Sequence, residues 1–514
     1  MKILRVKIIE ISHRPLLNGL ELAFTHNDEE QFMYPNILIG TNGSGKSQLL
    51  ETFAEIFLYL DRLYRKINRT IVSQSPLLFE IDYQIIKDKK DYIVSIKQIN
   101  KAFKAPEINI CDLEGNDVEF TIDDINGYLP QKIIGYTSGD NETLSLPFTD
   151  YYDEYAKYTG NRALEEKYKR TKDYDPRFYL MDYNTNIGVL VSNLTLGNPE
   201  SVKKITKYVG IDSLMSFQIV IQTNHSAAPS KNGVELTKEL DLWIKQLSKA
   251  ATCSEYFPKE NKYVLDFFIN KETIKAINHF FKTPINFYTA LYKIELLNNL
   301  IIKDAQLKDI KKQRALRKLI IKPPTVPDQD KVLRYSEVKL KLKSGDIVDY
   351  INLSDGEHQF LNIFGTILMT DFDNSLYLLD EPETHFNPKW RREFISLLSE
   401  ITMGRKQDCF LTSHSPFIVA DSRRDKVYLF RRSENNSLVV QWPVEETYGS
   451  DFDYILKVAF DLESSLSKKS YDEIQDLIKS KDIDLIKKKI EEFGDSAEKL
   501  FLFKRLEELK AAKK

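Results

Sequence analysis

The segment Gly40-Thr41-Asn42-Gly43-Ser44-Gly45-Lys46-Ser47 constrains the fold more than any other stretch of the chain. It fits G-x-x-x-x-G-K-S. The apolar run Asn36-Ile37-Leu38-Ile39 leads into it, and a helical pattern from Gln48 to Tyr64 follows, with Leu49, Leu50, Phe53, Ile56, Phe57 and Leu60 on one face. A buried parallel strand, a glycine turn and a helix start in that order make an anion cradle, because backbone N–H groups turn inward at the positive end of the helix. Gly40, Asn42, Gly43, Ser44 and Gly45 would supply the loop, Lys46 would reach β- and γ-phosphates, and the Ser47 hydroxyl would ligate Mg²⁺. The pattern implies an α/β fold.

At roughly 100–200 residues per domain, 514 residues allow two to four domains. With 73 Lys+Arg against 76 Asp+Glu, the formal net charge of −3 leaves any nucleic-acid contact to local basic patches. No run of about 18 uncharged apolar residues occurs, which argues against a membrane span. The charged opening Met1-Lys2-Ile3-Leu4-Arg5-Val6-Lys7 does not suit a secretory leader. Cys111, Cys253 and Cys409 are far apart and form no CxxC pair. A disulfide framework or cysteine zinc site is therefore not expected, and the cytoplasm is the expected compartment.

Strand patterns occur around Leu4–Ile8, Leu20–Phe24, Leu77–Ile86, Tyr92–Ile99 and Lys132–Tyr136. From about Asp150 to Lys322 the patterns become helical, at Tyr151–Lys172, Leu240–Ala250, Phe287–Lys303 and a basic stretch, Lys308–Lys322, stopped by Pro323-Pro324. Lys308, Lys311, Lys312, Arg314, Arg317, Lys318 and Lys322 would either track DNA phosphates or form a solvated helix face. Strands return at Val338–Leu342, Ile347–Ile351, Leu376–Leu379 and Cys409–Thr412, with a helix at Trp390–Ile401. Beyond Tyr448 the chain reads as helices with a stripe that includes Leu477, Ile483, Ile486, Ile490, Leu500 and Phe503, to be buried in its own domain or against a partner.

Three further motifs carry chemistry. Leu376-Tyr377-Leu378-Leu379-Asp380-Glu381 is an apolar strand ending in two acids, where Asp380 is placed to hold Mg²⁺ and Glu381 to polarise an attacking water. Leu353-Ser354-Asp355-Gly356-Glu357 opens an apolar helix, so Ser354 and Gly356 make a second anion site. The Ser-x-x-Glu spacing from Ser354 to Glu357 also fits a capping box, and both readings can hold together. His414 in Thr412-Ser413-His414-Ser415-Pro416 ends a strand of the same sheet, within reach of a γ-phosphate. Asp451-Phe452-Asp453 reads as a turn or helix cap.

Taken in order, the phosphate loop, a long insertion, LSDGE, LYLLDEPETHFNP and TSHSP resemble the ABC-type ATPases of the SMC, RecF and OLD group. The resemblance covers about residues 1–145 and 336–435. It implies a mixed sheet flanked by helices, with a mainly helical insertion and a helical C-terminal region. It also implies ATP and Mg²⁺ as ligands, and a homodimer or higher homo-oligomer built from ATP-sandwich heads. In that sandwich Ser354, Gly356 and Glu357 of one copy close over ATP held by Lys46 of the other, with Glu381 as catalytic base and His414 as switch histidine. Asn387 stands where ABC proteins usually carry the D-loop Asp, and no clear Q-loop glutamine follows the Lys132–Tyr136 strand, where Thr137-Ser138-Gly139-Asp140 stands.

Within the group the chain looks most like bacterial defence ATPases, namely the Septu-type, retron-associated and restriction-system-associated proteins. The insertion is globular and short beside a long coiled-coil arm, with no zinc-hook CxxC, and the stretch after His414 is too short for a Toprim nuclease domain. The expected organisation is an N-terminal ATPase lobe at 1–145, an insertion at 146–335, a C-terminal lobe at 336–435 and a partner-binding helical region at 436–514. The resemblance implies a sensor and regulator that hydrolyses ATP, contacts DNA, and controls a separate nuclease of the HNH type against phage. Two alternatives are a RecF-like repair or recombination ATPase and an ATP-binding scaffold with little turnover. A transporter subunit fits least, because the insertion is too long and no membrane-coupling segment is apparent.

Overall fold

The computed structural model describes residues 1–26, 32–65, 75, 77–101, 105–138, 144–164, 174–224, 233–302, 306, 326–433, 437–462 and 464–512. Its central element is a seven-stranded mixed sheet. The strands run in the order Leu438–Gln441, Val427–Arg432, Asn36–Gly40, Asp408–Thr412, Ser375–Asp380, Lys132–Thr137 and Phe178–Met181. All neighbours are parallel except the antiparallel Leu438–Gln441 edge. Asn36–Gly40, Ser375–Asp380 and Asp408–Thr412 are buried along their whole length. That explains why they read as continuous apolar runs without alternation.

The register decides where the motifs meet. Asp380 lies opposite Thr412, and Thr412 opposite Leu38, so the chain leaves all three strands at the same edge. Ligands of open α/β sheets sit at this carboxyl edge. The Lys46–Tyr64 helix packs on the sheet through Leu49, Leu50, Phe53, Ile56 and Phe57, with Phe53 and Phe410 rings 4.9 Å apart.

A second, antiparallel sheet joins Glu21–Ala23, Lys2–Ile11, Leu77–Lys87, Lys90–Gln98 and Glu107–Asp112. It is tied to the central sheet by Asp408, whose carboxylate accepts from the Ile3 backbone N–H at 2.7 Å and the Asn36 amide at 3.2 Å.

The insertion is rich in helices, among them Ser145–Leu164, Tyr183–Leu196, Pro199–Val209, Lys238–Ala250, Lys271–Phe281 and Pro284–Leu296. It also contains strands that the sequence pattern did not disclose. Phe178–Met181 completes one edge of the central sheet. Ile211–Gln222, Cys253–Phe257 and Lys262–Phe268 join Leu333–Leu342 and Ile347–Asp349 in a third, antiparallel sheet. Phe178–Met181 is four buried residues with no period, and the Ile211–Gln222 ladder is interrupted by register shifts that break its alternation. The basic stretch Lys308–Lys322 lies outside the described residues.

Three buried asparagines join the insertion to the Asp355–Met369 helix. Asn186 donates to the His358 carbonyl at 3.2 Å, Asn193 to that of Gly365 at 3.0 Å, and Asn362 returns a bond to the Asp182 carbonyl at 3.0 Å. An amide left unpaired here would cost about 1–3 kcal/mol, so the two helices are held in one register.

The last three helices, Lys468–Lys479, Ile483–Ile490 and Ala497–Ala512, enclose a small core of their own made of Ile474, Leu477, Ile486, Ile490, Leu502 and Leu506. The expected stripe therefore divides. Leu477, Ile486 and Ile490 are buried, while Leu500 and Phe503 stay exposed because Leu502 and Leu506 take the inner face. Among the described residues, no helix is long and apolar enough to cross a membrane.

Candidate nucleotide site

Gly40 ends its strand at φ +143°, and a Cβ there would stand 2.1 Å from the Phe430 carbonyl oxygen. Only glycine lets the loop leave the sheet at this point. Gly40→Ala should therefore lower stability by at least about 2 kcal/mol, read as a drop in thermal midpoint. An unchanged midpoint would show that the loop backbone can shift to accept a side chain. Gly43 and Gly45 also take positive φ, and the Lys46–Tyr64 helix starts directly after Gly45. Asn42 is exposed on the loop, and the Arg432 guanidinium bonds the Gly43 carbonyl through its Nε at 3.1 Å.

Lys46 is 6% exposed, and its ammonium donates to the carbonyls of Gly40 at 2.9 Å and Thr41 at 3.2 Å. Burial pushes its pKa down, partly opposed by the charges of Glu381 and Asp380. Ser44 is buried with a hydroxyl that has no hydrogen-bond partner among the described residues. A desolvated cation, an unsatisfied hydroxyl and a helix N-terminus around one glycine loop suit a phosphate chain.

Ser47 Oγ donates to Asp380 Oδ1 at 2.8 Å, and Thr412 Oγ1 donates to the same oxygen at 2.6 Å. Ser47 and Asp380, the two residues expected at a metal, are thus in contact, and a hydroxyl beside a carboxylate is an oxygen donor set that Mg²⁺ accepts. Thr412 is a third member that the sequence reading passed over. Its in-register place beside Asp380 is the signal that would have found it.

Glu381 takes φ +50°, uncommon for a residue with a side chain, and its backbone N–H donates to Thr412 Oγ1 at 3.0 Å. The left-handed turn leaves its carboxylate partly exposed, with Oε1 3.6 Å from His414 Nε2. Burial pushes the His414 pKa down and Lys46 adds to the shift, while Glu381 and Asp380 oppose it. His414 is therefore held toward its neutral form, in which one ring nitrogen can accept a hydrogen bond.

Glu383 is a further acid that the sequence reading did not use. It is 4% exposed, and burial raises its pKa to about 7. Its Oε1 accepts from Ser413 Oγ at 2.5 Å and from the His414 N–H at 3.3 Å. The third acidic position of Asp-Glu-Pro-Glu was the available signal.

Ser354, Gly356 and Glu357 are not brought to this cluster within the chain. Ser354 is the N-cap of the Asp355–Met369 helix, and the reciprocal bonds with Glu357 form the expected capping box. Ser354 and Asp355 are exposed, while a Cβ on Gly356 would lie 2.6 Å from the His385 carbonyl oxygen. Asn387 caps the Pro388–Thr402 helix by accepting from the Trp390 N–H at 2.9 Å. Where a Q-loop glutamine would follow the Lys132–Thr137 strand stands Ser138, whose N–H donates to the Asp380 carbonyl at 3.1 Å. Asp451 caps the Phe452–Phe460 helix, as its sequence reading anticipated. Among the described residues no group of three or more His, Cys, Asp or Glu could hold a metal ion.

The strand order, the glycine loop entering a helix and the Ser47–Asp380–Thr412 cluster set a P-loop at the carboxyl edge of a mixed sheet in an α/β fold. A family model described as an AAA domain, putative AbiEii toxin, type IV TA system, matches residues 218–420. The chain is similar to the retron Vc95 probable ATPase of Vibrio cholerae serotype O1 biovar El Tor, with 22% identity over 488 residues that cover 90% of this chain and 80% of that protein. Among solved structures, the SMC head domain from Thermotoga maritima aligns with 9% identity and a TM-score of 0.32, over 87% of this chain and 100% of that one. The recombination mediator protein RecF-ATPrS aligns with 13% identity and a TM-score of 0.33, over 85% of this chain and 97% of that one.

Proposed function

We propose that this chain binds ATP with Mg²⁺, hydrolyses it within a dimer of heads, and acts as the sensor and regulatory subunit of a bacterial anti-phage system that controls a separate nuclease. The observation that carries the ATPase part is the Lys46, Ser47, Asp380 and Glu381 cluster at one sheet edge. Lys46 and the loop N–H groups hold the β- and γ-phosphates, and Ser47 and Asp380 hold the metal. The bound metal would neutralise phosphate charge as a Lewis acid. Glu381 accepts a proton from the attacking water, and neutral His414 orients that water or the γ-phosphate.

The dimer is proposed because the exposed start of the Asp355–Met369 helix offers N–H groups to an anion, while the side chains of Ser354 and Glu357 there bond to each other and not to Gly40–Ser47 of their own chain among the described residues. A second copy would supply that helix start to each site. We read 1–145 and 336–435 as the two lobes of the head, 146–335 as the transmitting insertion and 436–514 as the partner-binding region.

The retron-associated ATPase part of this reading is supported by the similarity to the retron Vc95 probable ATPase, which aligns over 90% of this chain and 80% of that protein. A HNH nuclease is the proposed partner, DNA the proposed further contact and the cytoplasm the proposed compartment. Purification of the chain from its own operon with ATP should bring down a nuclease. A homodimer that copurifies with no nuclease yet is retained on DNA would replace this role with a RecF-like repair function.

A further inference from the structure

A carboxyl group buried beside no cation is costly unless its hydrogen bonds serve the fold or the chemistry. Glu383, on the loop that follows Asp380 and Glu381, is such a group: it is 4% exposed and its carboxylate forms no ion pair among the described residues. Its Oε1 takes both the Ser413 hydroxyl and the His414 N–H, and Ser413 Oγ in turn accepts the Ser415 N–H at 2.9 Å. These three bonds set the turn from which the His414 ring reaches Glu381. Glu383 Oε2 has no hydrogen-bond partner among the described residues.

The loop carrying Glu383 is itself braced from behind. Gln359 of the Asp355–Met369 helix donates to the Pro382 carbonyl at 2.9 Å and accepts from the His385 N–H at 3.3 Å. Arg391 bonds the carbonyls of Glu383 at 3.2 Å and Thr384 at 2.9 Å. Glu383 therefore stands on a fixed support and reaches across to the histidine loop. Among the described residues neither Lys46 nor Ser47 hydrogen-bonds to it, so the phosphate cradle does not depend on it directly.

We propose that Glu383 is a positioning residue for ATP hydrolysis, which holds the Ser413–Ser415 turn so that His414 faces Glu381 over the γ-phosphate. The inference rests on the hydrolytic reading of Glu381 and His414. It assigns Glu383 no contact with the nucleotide. Gln would keep the Oε1 acceptor and a neutral head group, whereas Ala would remove both.

The test is steady-state ATP hydrolysis by the full chain carrying Glu383→Ala, Glu383→Gln or Ser413→Ala, with His414→Ala as reference. Glu383→Ala and Ser413→Ala should each lower kcat by about tenfold with KM for ATP changed by less than about twofold. Glu383→Gln should recover kcat to within about threefold of wild type, and the Glu383→Ala/Ser413→Ala double variant should be no worse than Glu383→Ala alone. Ser413→Ala removes the same bond from the other side, so it decides the matter if Glu383→Ala does not fold. Wild-type kcat in Glu383→Ala or Ser413→Ala, or a Gln variant as slow as Ala, would overturn the inference. So would a KM that rises as kcat falls. If His414→Ala is also fully active, the hydrolytic role of His414 fails with it; if His414→Ala is slow, only the role of Glu383 fails.

Discussion

Lys46→Ala should abolish ATP binding at cellular concentrations while leaving the fold intact. The ammonium sits inside the glycine loop, bonded to the Gly40 and Thr41 carbonyls, at a point where the protein has already stripped most of its water. The cost of desolvating that cation is therefore met in the folded protein, and a phosphate chain would meet a charge already in place. Removing it takes away a charge-assisted contact to the β- and γ-phosphates and should weaken binding by about 10²–10³-fold. Stability should change little, because a partly desolvated cation and its two carbonyl bonds leave together. Titration calorimetry with a non-hydrolysable ATP analogue would read the loss. An affinity within about threefold of wild type would mean that the loop N–H groups alone carry the nucleotide.

The second large effect is expected for Glu381→Gln, which should bind ATP as the wild type does yet turn over about 10²–10⁴-fold more slowly. The backbone at this position is fixed independently of the carboxylate, by the N–H bond to Thr412 and the left-handed φ of +50°. Gln has the same length and takes the same turn, so the geometry of Ser47, Asp380 and Thr412 should persist. The substitution removes the proton acceptor and little else. Single-turnover hydrolysis measured beside equilibrium binding separates the two quantities. Unchanged hydrolysis would reassign the base, with His414, whose Nε2 lies 3.6 Å from Glu381 Oε1, the next candidate.

The parts of the molecule that could be read from sequence are those in which one local pattern carries the whole constraint. The glycine loop, its strand and its helix are contiguous, so their chemistry and conformation are written together at Asn36–Tyr64. The same holds for the strand ending at Asp380 and for the Ser354–Glu357 cap. What escaped depends on neighbours far away in the chain. Thr412 gains its role only from lying beside Asp380 in a parallel pair, and Glu383 only from facing Ser413 thirty residues on. The strand Phe178–Met181 is recognisable as a strand only because Lys132–Thr137 presents an edge to it. The last helix takes a different phase from the expected stripe: its inner residues are Leu502 and Leu506, which leaves the expected Leu500 and Phe503 outside.

These features bear on how a nucleotide state would travel through the protein. The Asp355–Met369 helix presents Ser354 at its exposed start, grips the loop after Glu381 through Gln359, and is bonded to the insertion through Asn186, Asn193 and Asn362. Any displacement of that helix would reach both the hydrolytic loop and the insertion without an intervening flexible joint among these contacts.

The most direct test of the account is the mass of the Glu381→Gln protein by light scattering with and without ATP and Mg²⁺. The proposed sandwich predicts about twice the 59.9 kDa of one chain when ATP is present, and a return to the single-chain mass when Ser354→Arg is added. A single-chain mass with ATP bound, or a dimer indifferent to Ser354→Arg, would contradict a site shared between two copies.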